Sequence, residues 1–173
     1  MEDSESKEDI TNSNETWFER YQPLLVLIVV ILISAIALSS TEAGGNFMRY
    51  FMGLFLVNFS VFKLMRLRSF ANRFAKYDII AKRSKPYAFV YPFIELLLGL
   101  MLLSNSMLTI TYAATFIIMT VGAIGIINEV LIQRRPLDCA CLGTVINVPL
   151  GPVSILENVG MSLMAAYMLF AAA

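Results

Sequence analysis

A chain of 173 residues that is 58% hydrophobic and only 15% charged, with a mean hydropathy of +0.71, has more apolar surface than a water-soluble fold of this length could bury; soluble domains run near ~25% charged. The 13 Lys and Arg balance 13 Asp and Glu, and no histidine is present, which removes the usual general base near neutral pH, the commonest metal ligand and the usual haem ligand. Two cysteines, Cys139 and Cys141, exclude a disulfide scaffold and an intrachain four-cysteine zinc site, and the length holds one bundle of spanning helices with no room for a soluble catalytic domain.

Residues 1–14 mix Glu2, Asp3, Glu5, Glu8 and Asp9 with Ser, Thr and Asn, a composition that buries too little to order itself. Trp17, Phe18 and Tyr21 follow, just ahead of Pro23, where headgroup-level aromatics and a helix-starting proline are both at home. Residues 1–21 are thus expected to be a disordered acidic tail and an interfacial anchor. The first span, Pro23 to Ser39, has no ionisable residue, and residues 22–46 are expected to form an extra N-terminal transmembrane helix. An acidic rather than basic stretch before it, with no small-residue cleavage site, argues against a cleavable signal peptide.

A turn at Gly44 and Gly45 leads to a second span, Phe47 to Leu64, with Asn58 and Ser60 inside it and Lys63, Arg66 and Arg68 at its end. In the segment from Ser69 to Tyr87, Phe70, Phe74, Tyr77 and Ile80 or Ala81 recur at helical spacing, which predicts a basic amphipathic helix suited to the membrane surface. Its plainer role is to rest on the bundle; binding lipid or a partner is the other. The third span, Tyr87 to Leu103, follows Pro86 and contains Pro92 and Glu95. The fourth, Leu108 to Ile132, exceeds the ~20 residues needed to cross, and its Gly122 and Gly125 permit kinking or close packing. The fifth begins near Pro152 and has Glu157 and Asn158 in its opening turns.

From Lys63 to Lys85, eight basic residues (Lys63, Arg66, Arg68, Arg73, Lys76, Lys82, Arg83, Lys85) stand against Asp78 alone. The positive-inside tendency makes this loop cytoplasmic; with five spans, the connection holding Arg134 and Arg135 shares that side, as does the N-terminus. Lys63, Glu95, Asn128, Glu129, Cys139, Cys141, Glu157 and Asn158 are therefore expected to converge near one depth of the bundle. A charge at the centre of a spanning helix costs roughly 2.5 kcal/mol or more, so Glu95 is expected either to pair with Lys63 and lock two helices together or to handle protons. For Glu129 and Glu157, nearer the interface, the structural role is the simpler one.

The segment RRPLDCACLG, Arg134 to Gly143, holds the one reactive constellation: two thiols separated by a single small residue, then a glycine that permits a sharp turn. Two sulfurs so close can close a small strained disulfide, and strain raises its tendency to oxidise a partner. They can equally clasp a soft ion such as Cu(I), or be inert packing. Arg134 and Arg135 favour the thiolate if they lie close; Asp138 opposes it.

Phe62 with Lys63 at a span end, PFIELLLG from Pro92 to Gly99, and CACLG together resemble the MauE-type methylamine-utilisation membrane proteins within the broader DoxX-like four-helix group. The resemblance covers residues 47–173, and Leu142 departs from the aromatic residue that usually follows the second cysteine. It implies a four-helix core and a membrane accessory factor linked to thiol and disulfide redox, needed to mature a partner with disulfides, with Cys139 and Cys141 in the redox role. Lys63, Glu95 and Gly143 match other recurrent positions.

The expectation is thus an all-α polytopic membrane helix bundle of about five transmembrane helices, a four-helix core preceded by one anchor, in a bacterial-type inner membrane. Cys139 and Cys141 carry oxidoreductase-like chemistry, with Lys63, Glu95, Asn128, Glu129 and Glu157 as supporting polar residues. Its partners are the lipid bilayer, a thiol- or disulfide-bearing protein and a second copy of the chain, with no nucleic acid. The alternatives are a heavy-metal transport or delivery protein of copper or mercury type, in which the same two thiols hold the metal, and a non-catalytic assembly scaffold.

Overall fold

The computed structural model describes residues 17–41, 46–128 and 151–172, and among them every element is a helix: α1 (Trp17–Thr41), α2 (Phe47–Met65), α3 (Leu67–Tyr77), α4 (Ile79–Arg83), α5 (Lys85–Leu103), α6 (Leu108–Ile127) and α7 (Gly151–Ala172). Four stretches are long and apolar enough to cross a membrane, Leu24–Thr41, Phe47–Met65, Lys85–Leu103 and Leu108–Ile127, and a shorter apolar helix, Ile155–Ala171, lies within α7. The chain is an all-α polytopic bundle. Its first helix starts at Trp17 rather than at Pro23. Proline removes its own N–H but not those of the residues before it, so the aromatic cluster continues the helix upstream.

Neighbours pack in the order α1 on α2, α2 on α5, α5 on α6 and α6 on α7, with α3 and α4 folded against α5. Among the described side chains of α1 a narrow stripe, Leu24, Ile31 and Ala35, is buried, while Val26, Val29, Val30, Ile33 and Ile36 are exposed. That pattern suits a helix with one protein neighbour and lipid on its other sides, since a bilayer solvates apolar side chains.

Local chemistry sets the ends of the helices. The Asn46 side chain caps α2 by accepting from the backbone N–H of Met48 (3.1 Å) and Arg49 (3.4 Å), satisfying donors that no earlier turn can reach. Pro86 sits in the first turn of α5, where its missing N–H costs nothing. At the far end of the α2–α5 pair, buried Arg49 donates to the Leu102 carbonyl at 3.1 Å, placing positive charge where the last carbonyls of α5 carry a partial negative one.

The α2–α5 crossing depends on two glycines. A Cβ on Gly99 would lie 2.8 Å from Val57 Cγ2 and 3.0 Å from the Gly53 carbonyl oxygen; one on Gly53 would lie 3.1 Å from the Gly99 carbonyl. The backbones therefore approach directly, as small residues permit between membrane helices.

The basic segment after α2 forms α3 and α4, and its apolar stripe faces protein. Phe70, Ala71, Phe74 and Ala81 are buried; Phe74 lies 4.5 Å from Tyr91 and Phe70 lies 6.2 Å from it, ring centre to ring centre. Through these contacts the helix rests on the bundle. Of the two residues that could complete the stripe, Ala81 is buried and Ile80 exposed. The helix restarts at Asp78, whose Oδ1 caps α4 by accepting from Ile80 N at 3.0 Å and Ala81 N at 2.8 Å.

Candidate polar site within the bundle

Lys63 lies two residues before the end of α2, and its side chain turns into the bundle. Its Nζ stands 2.6 Å from both Oε1 and Oε2 of Glu95 on α5 and 3.5 Å from Oε1 of Glu157 on α7. Lys63 is 4% exposed and Glu95 1%. One ammonium thus joins carboxylates from two other helices. A bidentate, charge-assisted contact of this length is the strong form of such a bond, and in a membrane interior pairing is what makes ionisable side chains tolerable.

Aromatic rings complete the enclosure of the ammonium. Lys63 Nζ lies 5.3 Å from the Tyr91 ring centre and 5.7 Å from that of Phe70, both within cation–π range. Tyr91 lies four residues before Glu95, on the same face of α5. Phe70 comes from α3, so this surface helix seals the pair from outside.

On the α6–α7 side, Asn158 fits because position 122 is glycine: a Cβ there would lie 2.6 Å from Asn158 Oδ1 and 3.8 Å from the Tyr91 hydroxyl. One turn further along, the hydroxyls of Thr120 and Ser162 meet at 2.7 Å. These contacts register α6 antiparallel to α7. They put Lys63, Glu95 and Glu157 toward the end of the bundle where α6 finishes, α7 starts and α3–α4 packs. At 1.5 Å per residue, Glu157 lies about 9 Å along α7 from Gly151.

Of the residues singled out by sequence, the structure brings together Lys63, Glu95 and Glu157, with Asn158 beside them. Asn128 is the residue after α6 and is half-buried. Glu129, Cys139 and Cys141 lie outside the described residues, as does the end of the fourth predicted span. Sequence reasoning missed Tyr91, although its spacing from Glu95 was a usable signal, and missed buried Arg49 and Asp78, whose places at a helix start and in a charged loop looked ordinary. Among the described residues no three of His, Cys, Asp and Glu gather as a metal site would require; the space between Glu95 and Glu157 is taken by the Lys63 ammonium.

A family model described as methylamine utilisation protein MauE matches residues 24–171. The match takes in the first span as well as the helices after it. No curated protein and no solved structure matches the chain.

Proposed function

The chain belongs to the MauE family of methylamine utilisation proteins, and from that premise we propose that this multi-pass membrane accessory protein works by thiol–disulfide exchange through Cys139 and Cys141. The observation that carries the reading is positional. Cys139 and Cys141 belong to the connection between α6 and α7, and both helices meet that connection at the end of the bundle nearest the Lys63–Glu95–Glu157 cluster. Two thiols in a ten-residue segment of the connection between two packed helices suit a group that must meet a protein partner repeatedly.

The basic segment from Lys63 to Lys85 shares that end, and the positive-inside tendency makes it cytoplasmic, in a bacterial-type inner membrane. Thiols on that side are kept reduced, so the resting form is the dithiol. One thiolate attacks a partner disulfide to give a mixed disulfide; the second thiol displaces the partner's sulfur and closes the Cys139–Cys141 disulfide. The pair loses two electrons and two protons, and the partner gains both as two thiols. Lys63 and Glu95 serve this chemistry by holding α7, which follows the segment, through Glu157.

Replacing one cysteine with Ser leaves the other to attack with no thiol to resolve the product. Of Cys139→Ser and Cys141→Ser, the variant that retains the attacking thiol is expected to accumulate a partner-linked band on non-reducing gels that collapses with reductant. Cys139→Ser and Cys141→Ser are each expected to fail in complementing a deletion strain. Full complementation by both variants would refute the reading.

A further inference from the structure

We propose that the exposed basic residues at the two ends of the α3–α4 segment form a surface that binds the phosphates of anionic phospholipids. The segment has two faces. Its apolar stripe is buried against the bundle, and Asp78, the one acid between Lys63 and Lys85, is buried as the cap of α4. Lys63 is held by Glu95 and Glu157. Arg66 and Arg68, where α2 gives way to α3, and Arg83 and Lys85, where α4 gives way to α5, are all exposed. Among the described residues none of these four makes an ion pair. The acid that could have neutralised the segment is turned inward, and these four positive charges stay on its surface.

The apolar residues beside each basic pair select a lipid over a soluble acidic partner. Lys85, Phe89 and Phe93 follow one another at four-residue steps on α5, a spacing that keeps side chains on one face, and all three are exposed. Helical side chains lean toward the helix N-terminus, here the surface end of the span, so Lys85 leans away from the hydrocarbon while the two rings remain in it. On α2, Val61 and Met65, also four apart, are 44% and 75% exposed, just ahead of Arg66 and Arg68. Each basic pair thus tops an apolar stripe of a membrane-spanning helix. A cation at headgroup depth above an acyl-chain surface is complementary to a phospholipid with a net negative headgroup. A water-soluble acidic protein would match the charges and leave the stripes to lipid, and a zwitterionic lipid would match the stripes but bring its own ammonium. The surface does not depend on the thiol chemistry proposed above, and its test reads lipid binding alone.

The test reconstitutes the full chain in phosphatidylcholine nanodiscs doped with phosphatidylglycerol that bears a photoactivatable acyl chain, and compares it with the matching phosphatidylcholine probe. Labelling by the anionic probe is expected to exceed that by the zwitterionic one about fivefold or more, the effect of a single basic residue near a charged membrane surface. It should map to the end of α2 and the start of α5 and be competed by unlabelled phosphatidylglycerol but not by inorganic phosphate. It should also fall as salt rises from about 0.1 M to about 1 M, where the screening length shrinks from about 10 Å to about 3 Å. Arg83→Gln with Lys85→Gln, and separately Arg66→Gln with Arg68→Gln, should each remove the excess at its own end of the segment. Both leave thermal stability in pure phosphatidylcholine unchanged, and Arg83→Lys with Lys85→Arg keeps the excess. Should a neutral variant fail to insert, the salt dependence of the parent protein decides. Equal labelling by the two probes, indifference to salt, competition by inorganic phosphate alone, or undiminished labelling in the neutral variants would overturn the proposal.

Discussion

Lys63 binds three helices through one ammonium, and this makes it the residue whose loss should cost most. Removing one partner of a buried ion pair strands the other in a medium that cannot solvate it, typically at 3–5 kcal/mol in protein interiors. Lys63→Met and Glu95→Gln are each expected to lower unfolding stability by about 3 kcal/mol or more in detergent or lipid. The double variant Lys63→Met with Glu95→Gln should recover part of that loss, because the Glu95 charge goes with its partner and only Glu157 keeps a carboxylate beside the vacated ammonium site; a thermal-shift double-mutant cycle measures the coupling. Additive losses would mean the pair is not a lock. The sequence made Lys63, Glu95 and Glu157 visible because an ionisable group in an apolar helix demands a partner. Tyr91 stayed hidden because an aromatic side chain in such a helix looks like packing, and Asp78 because one acid among eight bases looks like a solvated loop, although it is fully buried as a cap.

Among the elements, α2 and α5 bring Lys63 and Glu95 within 2.6 Å only because their backbones approach at Gly53 and Gly99. A side chain at Gly99 would have to displace Val57 and the Gly53 carbonyl, and backbone cannot give way cheaply. Gly99→Val is therefore expected to cost about 1–3 kcal/mol, the usual range for overpacking, and to make Lys63 accessible to an amine-reactive reagent that does not reach it in the parent protein. Unchanged stability together with an unreactive Lys63 would show that the crossing tolerates separation. Helix existence was legible from runs of apolar residues and the prolines between them, and the α3–α4 stripe from its spacing. Which way that stripe faced was not, because a basic amphipathic helix presents the same pattern to lipid as to a protein neighbour. The glycine crossing was equally opaque: Gly53 and Gly99 have no periodicity of their own, whereas Gly122 stood out in a helix already long, and it does pack against Asn158.

For the whole molecule, the parity of spans organises function. The antiparallel packing of α6 on α7 and the docking of α3 and α4 on α5 put a basic segment, a buried ion-pair cluster and both attachments of the cysteine segment at one end of the bundle. The number of spans along the sequence anticipated that arrangement of helix ends because spans alternate in direction whatever their packing. The account rests on Cys139 and Cys141 being chemically competent thiols at that end, so side-resolved thiol labelling in cells under reducing conditions tests it most directly. A membrane-permeant maleimide should modify both in intact cells, and an impermeant one only after the cytoplasmic face is opened; failure of both reagents to reach either sulfur, in intact and in opened cells, would contradict it.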